Sequence, residues 1–361
     1  MVVGAARLEI ETPALLVDLD VMESNIAKMS DYFKSRRSKL RAHAKTHKSP
    51  LIAHKQIAAG AGGICCQKLG EAEVMINSGI RDILITSEIV EPAKIERLVR
   101  LSRYSDAKVV IDNIEVARKM SETAQKQGMK QGVLVELDIR NKRCGTVPGK
   151  PTVEFVKEIT KLKGLNFRGL MEYEGPFLDV PDFQQRRAGA HKLLGLLRGT
   201  VELVRDEGIP VDIVSAGSTG TYNIAGEYPE ITEVEAGSYV FMDSTYQKLE
   251  GLNFGCALTV LATVISRPVP ERIIVDAGWK ATTQELGMPL VKNIEGARFY
   301  HFSEEHGSIS VDPSTKLSVG DKVALIPSHC CTTVNLHDFY YGIRNGHIEA
   351  VWPISARGKF L

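Results

Sequence analysis

The sequence predicts an α/β protein with an N-terminal (β/α)8 TIM barrel and a C-terminal all-β domain. Three observations carry this. Apolar strands and amphipathic helices alternate without a break from residue 14 to residue 241. The strands are apolar on both faces, as parallel strands covered by helices must be. Beyond residue 250 that texture gives way to short β runs separated by Gly and Pro. Alternation of this length favours a closed barrel over an open doubly wound sheet. The runner-up, a Rossmann-like sheet, lacks the G-x-G-x-x-G that should follow its first strand. The expected division is 14–248 for the barrel, with 1–13 and 249–361 forming the β-rich domain.

Residues 14–20 (ALLVDLD) read as an apolar strand, and 21–33 as a helix with Met22, Ile26, Met29 and Phe33 on one face. A strand ending at Lys45 precedes a helix opened by Pro50. Residues 63–67 (GICCQ), 82–87 (DILITS), 108–112 (KVVID), 132–138 (GVLVELD) and 167–173 (FRGLMEY) are further strands, each followed by a helical run. The helix after 108–112 turns Val116, Ala117, Met120 and Ala124 inward. A leucine-rich helix near 189–205 leads to 211–216 (VDIVSA), and 231–241 closes the series. In the second domain, 258–266, 272–275, 322–326 and 347–352 read as strands.

Composition is that of an ordinary globular chain, 43% hydrophobic and 25% charged, long enough for one large core or two unequal ones. A net charge of +1 gives no electrostatic pull toward nucleic acid or a membrane surface. No apolar run approaches a membrane span, and the first residues lack a signal-peptide pattern, so a cytoplasmic location is expected. Two of the three cysteine pairs, Cys65-Cys66 and Cys330-Cys331, are adjacent in sequence. Free thiols in a reducing compartment are the expectation.

In a (β/α)8 barrel the reactive side chains stand at the C-terminal ends of the strands. The densest stretch there is 41–50 (RAHAKTHKSP), which gathers Arg41, His43, Lys45, His47 and Lys48. A lysine crowded by cations holds its proton less firmly, so its free amine becomes the nucleophile that a Schiff-base lysine needs. The alternative is a solvated basic strand end. The rest of the rim adds Gln67, Arg143 in 141–145 (NKRCG), Tyr173, residues 215–221 (SAGSTGT), Tyr239 and Asp243. Two glycines and four hydroxyls in 215–221 follow the logic of a phosphate cup, against the alternative of an ordinary polar turn. With an activated lysine nearby, the cup points to pyridoxal 5′-phosphate. The expected cofactor-binding residues are Lys45, His43, Gln67, Arg143, Tyr173, Ser215, Gly217, Ser218, Thr219, Gly220, Thr221 and Tyr239. Tyr173 is expected near the cofactor ring and Arg143 at its phenolic oxygen.

In the second domain, 327–335 (PSHCCTTVN) places His329 and Cys331 two apart. An extended strand would point both to one face, and imidazole plus thiolate suits a divalent metal such as Zn²⁺. The alternative is a buried histidine with two small apolar thiols. Residues 276–278 (DAG) and 303–307 (SEEHG) are weaker signals: the first is readable as a simple turn, the second, which clusters acidic groups with a histidine, as a group that supports the site or meets the substrate, or only as a solvated loop.

These blocks, together with 12–18 (TPALLVD), 43–48 (HAKTHK), 173–175 (YEG) and 327–338, resemble the D-threonine aldolase / D-serine dehydratase family of alanine-racemase-like PLP enzymes, nearly end to end. The resemblance implies PLP on Lys45, a divalent metal (Zn or Mn) on His329 and Cys331, and a homodimer with active sites near its interface. It implies a lyase acting on small β-hydroxy D-amino acids. Aldolase-like members tend to carry His-x-Asp in the metal motif and dehydratase-like members His-x-Cys. Cys331 therefore leans toward dehydration to a 2-oxo acid and ammonia, with cleavage to glycine and an aldehyde as the alternative. An amino-acid racemase or a non-catalytic PLP-binding protein are more distant readings. Pro176 stands where many members carry a polar residue. Arg140 and Lys142 beside Arg143 would favour a substrate with a second carboxylate.

Overall fold

The computed structural model describes residues 3–140, 142–175 and 177–361, so Asn141 and Pro176, both singled out above, lie outside the described residues. After a first strand, β1 (Ala14–Asp18), and the helix Leu19–Lys34, eight parallel strands close on themselves. They are β2 (Lys39–His43), β3 (Gly63–Cys66), β4 (Asp82–Ile85), β5 (Asp106–Ile111), β6 (Gln131–Leu137), β7 (Leu165–Glu172), β8 (Ile213–Ala216) and β9 (Glu233–Val234). Seven of the eight gaps between or after these strands hold the helices Pro50–Ala58, Leu69–Asn77, Pro92–Leu101, Ile114–Lys126, Lys150–Ile159, Phe183–Asp206 and Tyr222–Ala225. Local chemistry starts several of them. Pro opens the first and third, and Asn113 and Asp182 cap Ile114–Lys126 and Phe183–Asp206 through their side-chain oxygens. Cys65, Leu84, Val110, Leu134, Met171 and Ile213, one from each of six successive strands, meet in one buried cluster. The barrel reading of the sequence is therefore right.

Closure relies on a buried charge network. β2 pairs with β9 over two residue pairs, Lys39↔Glu233 and Leu40↔Val234. Arg41, 2% exposed, grips Glu233 with Nε at 2.7 Å and Nη2 at 2.5 Å, and reaches Asp82 with Nη1 at 2.8 Å. Lys108, equally buried, joins Asp82 and Asp106 at 2.8 and 2.7 Å. A forked guanidinium suits such a planar two-point grip. Removing the arginine leaves Glu233 with its partner gone at the seam. Arg41→Ala should lower unfolding stability by roughly 3 kcal/mol or more, measured by urea or thermal denaturation.

The remaining strands form a mixed sheet: β10 (Leu258–Val269), β11 (Arg272–Val275), β12 (Leu290–Val291), β13 (Arg298–Phe302), β14 (Gly307–Ser310), β15 (Lys322–Ile326), β16 (Phe339–Arg344) and β17 (His347–Pro353). Its order is β13-β14-β11-β10-β1-β16-β17, with β15 also on β10 and β12 on β15. β1 runs antiparallel to β10 and parallel to β16. The strand at 14–20, read as the head of the barrel segment, thus belongs to the sheet. Its local pattern, apolar strand then helix, is the same as that of a barrel unit, and its pairing partners are what differ. Ile10, Ala14, Leu16, Leu261, Ile343 and Ile348 pack together around it.

The chain divides into two compact units. One comprises Met29–Lys45, Ser49–Gly237 and Gly358–Leu361, and the other Met1–Lys28, Thr46–Lys48 and Ser238–Arg357. The predicted strand 231–241 is shorter than expected. Only Glu233–Val234 pairs in the barrel, and Tyr239 lies in a 3₁₀ turn, Ser238–Val240, of the second unit. Among the described residues no helix is long and apolar enough to cross a membrane.

Candidate active site

In the barrel unit, the C-terminal rim brings Lys45, Tyr173 and Arg143 together. Lys45 sits in the turn Ala44–Thr46 just past β2, half-buried, with Nζ 5.5 Å from the centre of the Tyr173 ring. The Arg143 guanidinium carbon lies 5.4 Å from the same ring, and its Nη2 donates to Glu136 at 3.0 Å. His43 is buried at the end of β2. Its Nδ1 accepts the Lys45 backbone N–H at 3.4 Å, so Nε2 carries the proton and donates to Thr86 Oγ1 at 3.2 Å. Thr86 in turn donates toward Gln67 Oε1 at 3.4 Å, and Gln67 Nε2 donates to the Thr86 carbonyl at 2.9 Å. His43 and Gln67 thus belong to one network that fixes the backbone at Lys45.

The cationic crowd expected around Lys45 is dispersed by the fold. Arg41 is consumed by Glu233 and Asp82, and Lys48 belongs with the second unit. A buried carboxyl, Glu235, feels the charge of Lys45. Burial pushes Glu235 up to about 7, against the Ser215 hydroxyl that donates to it at 2.6 Å and the opposing charge of Lys45.

The 215–221 loop follows β8, two strands round the barrel from β2. Gly217 has φ +88, and a Cβ there would stand 2.8 Å from Val234 Cγ1, so only glycine fits. The hydroxyls are less open than the sequence implied. Ser215 donates to Glu235, and Thr221 donates to Glu174 while accepting the Ser218 N–H at 3.0 Å. Gly217 N–H donates to Glu174 at 3.1 Å. Ser218, Thr219 and Gly220 form the middle of the loop.

In the second unit, His329 and Cys331 do not lie on a strand. His329 is extended and caps the short helix Cys330–Val334, which carries Cys331. Asp243 sets this bend. It is fully buried, takes the Cys330 N–H at 3.0 Å, and takes those of Thr245 and Tyr246 at 3.1 and 2.9 Å. The two side chains still come together. Burial opposes a charge on His329, but the Cys331 thiolate, with Asp243 and Glu285, raises it to about 10. Hydrogen bonding from Cys330, against burial, and the His329 charge hold the Cys331 thiol well below its ordinary range. Glu285 Oε2 lies 2.9 Å from His329 Nδ1, and Thr46 Oγ1 lies 3.3 Å from Cys331 Sγ. A carboxylate orienting a histidine beside a thiolate is a donor set that fits a borderline divalent metal. Tyr239 is buried in this unit, its ring 5.7 Å from Phe254.

The weaker motifs meet groups near them. Asp276 accepts from Thr263 N–H and the Thr12 hydroxyl, and Glu304 and Glu305 are exposed and pair with Lys280. Arg140 stacks on Phe177 at 3.8 Å and pairs with Asp179. Among the described residues, the one cluster of three metal-ligating atoms within 4.8 Å of one another is Glu88, Glu136 and Cys144, in the barrel unit. Burial and the Glu136 charge push the Cys144 thiol up to about 12, and it donates to Glu136 at 3.4 Å.

Sequence reasoning passed over the carboxyls. Glu136, Glu172, Glu174 and Glu235 are all buried at the rim. Two of them interrupt the apolar runs 132–138 and 167–173, where a charged residue has nowhere to go but inside. That signal was available.

A closed eight-stranded parallel barrel with a separate mixed sheet is the alanine-racemase-like fold. Family models agree: residues 17–245 match the alanine racemase N-terminal domain, and 257–343 a putative serine dehydratase domain. The chain is 37% identical to the 3-hydroxy-D-aspartate aldolase of Paracoccus denitrificans (strain Pd 1222), covering 99% of this chain and 94% of that one. A solved D-threonine aldolase from Filomicrobium marinum superimposes with a TM-score of 0.96 at 37% identity, over 99% of each chain. The D-threo-3-hydroxyaspartate dehydratase, solved metal-free as a variant with one cysteine replaced, gives 0.88 at 28% identity, over 97% of this chain and 98% of that one. The chain belongs to the D-threonine aldolase / D-serine dehydratase family. It is a lyase.

Proposed function

We propose that this protein is a PLP- and divalent-metal-dependent lyase that cleaves β-hydroxy D-amino acids between Cα and Cβ, giving glycine and an aldehyde. The observation that carries the cofactor reading is Lys45 Nζ over the Tyr173 ring, on the same rim as the 217–221 loop. The donor set fits the cofactor: a carbonyl-reactive amine, a ring face, and a loop of N–H and hydroxyl groups. Lys45, His43, Gln67, Arg143, Tyr173 and the 215–221 residues would hold it, and Tyr239 from the second unit is included in this reading. His329 and Cys331 would hold the metal, Zn or Mn.

When bound, pyridoxal phosphate supplies an electron sink for charge left at Cα, and a divalent metal supplies a Lewis acid for the β-oxygen. The chain's own residues do the rest. Lys45 Nζ anchors the site and holds or moves a proton at Cα. The His43–Thr86–Gln67 network keeps the Lys45 turn in place. Tyr173 and Arg143 border the reacting centre, and Glu285 fixes the orientation of His329. Cleavage requires removal of the β-hydroxyl proton, and dehydration requires removal of the Cα proton by Lys45.

Cleavage takes precedence over the dehydration to which Cys331 leans, because the full-length likeness to aldolases is stronger, at 37% identity against 31% among the curated relatives. Dehydration remains the second reading on one observation. The solved dehydratase exists as variants of a histidine and of a cysteine two positions further on, the cysteine variant being metal-free, and that spacing matches His329 and Cys331. A homodimer working in the cytoplasm completes the reading; the six free cysteines suit the reducing compartment.

The test is product analysis with PLP and Zn²⁺ or Mn²⁺, using D-serine, D-threonine and D-3-hydroxyaspartate and their L-enantiomers. Glycine from the D-forms without ammonia is the expected result. Ammonia without glycine would establish dehydration. Racemised substrate, or neither product, would reject the lyase mechanism proposed.

A further inference from the structure

The loop at 217–221 is tied down by one of two neighbouring buried carboxyls that the reading above leaves without a role. Glu174 is fully buried. One of its oxygens takes the Gly217 N–H at 3.1 Å and the other takes the Thr221 hydroxyl, whose oxygen accepts the Ser218 N–H at 3.0 Å. A single carboxylate therefore holds both ends of the loop. Arg186, also fully buried, fixes its far side by donating Nε to the Gly220 carbonyl at 2.9 Å. Glu172 lies two residues before Glu174, at the end of β7 and 1% exposed. Neither of its oxygens meets a conventional donor.

The charged groups around this pair do not neutralise it. Glu235 and Glu136 add like charge. Arg140 Nη1 bonds the Glu174 backbone carbonyl, Arg186 bonds the carbonyls of Gly220, Val180 and Pro181, and no cation bonds either oxygen of Glu172. Two adjacent carboxyls in a low dielectric, without a cation, do not both ionise.

We propose that Glu172 and Glu174 share one proton, donated by Glu172, and that the pair is a positioning element that shapes the 217–221 loop for a phosphate monoester. This rests on the PLP reading. Burial raises both groups from the ordinary carboxylate range. The Glu174 charge adds to the rise at Glu172, while hydrogen bonds from Glu172 and Thr221 restrain it at Glu174. The shared proton leaves one negative charge beside the loop, fully hydrogen bonded. Two would repel a phosphate dianion.

The test compares binding of PLP and of pyridoxal, which lacks the phosphate, to the apoprotein. Lys45 meets the aldehyde of both, so the ratio of the two affinities isolates the loop. Glu174→Gln keeps one acceptor and loses the other. The PLP-to-pyridoxal ratio should fall about 10- to 100-fold while pyridoxal affinity stays within about twofold. Glu172→Gln is neutral like the protonated acid and still donates, so its ratio should stay within about twofold of wild type. An unchanged ratio in Glu174→Gln would overturn the positioning role. A ratio about tenfold or more above wild type in Glu172→Gln would overturn the shared proton, because it would mean a charge had been removed. If Glu174→Gln no longer binds pyridoxal, Glu174→Asp, which shortens the same tie, takes its place under the same expectations. Wild-type protein that binds neither compound would reject the cofactor reading instead.

Discussion

Replacing Lys45 with alanine should lower turnover of every D-amino-acid substrate by on the order of 10⁴-fold or more. Borohydride reduction should fix the cofactor to Lys45 in the wild type, read as a mass increase on its peptide, and should leave the variant unmodified. The size of the effect follows from the site. Tyr173 and Arg143 border Lys45, and neither a phenol nor a guanidinium can replace a primary amine toward an aldehyde. His43 and Gln67 act on its backbone rather than in its place. Near-wild-type turnover by Lys45→Ala without added amine would end the assignment.

The second large effect should come from His329 and Cys331. Either alanine variant should lose bound metal on dialysis and most of its turnover, with metal measured by elemental analysis. Glu285→Gln is the informative companion. It keeps both ligands but weakens the carboxylate that orients His329 at 2.9 Å, so metal affinity should drop by about 10- to 100-fold. Excess Zn²⁺ or Mn²⁺ should then restore Glu285→Gln and leave the His329 variant inactive. Full metal content and turnover in both alanine variants would show that the motif is only a buried histidine and thiol.

The barrel was legible because buried parallel strands must be apolar on both faces, and that constraint writes itself into local sequence. Which strand pairs with which does not. Residues 14–20 followed by an amphipathic helix look like any other unit, yet β1 pairs with strands made much later. The 231–241 segment is apolar because it is buried, and burial alone did not make it a strand beyond Glu233–Val234. At the site, residue types with unusual chemistry, such as Lys45 and the His329–Cys331 pair, were readable. Their surroundings were not. Arg41 stands four residues from Lys45 in sequence, but its charge is neutralised at the barrel seam. The carboxyls Glu174, Glu235, Asp243 and Glu285 come from distant segments, and only folding brings them to the loop, the lysine and the metal motif.

β1 also constrains the order in which the molecule can be made. It leaves the ribosome well before its partners β10 and β16, which follow some 240 and 320 residues later. Until then its apolar residues have no ladder to join. Closing so long a loop costs only modestly more entropy than closing a short one, so the delay bears on exposure rather than on final stability. The barrel strands lie wholly between β1 and β10 in sequence and can pair in the meantime. A C-terminal fragment beginning after the barrel would carry β10 and β16 with the strand between them missing, and supplying residues 1–18 as a separate peptide should restore its sheet.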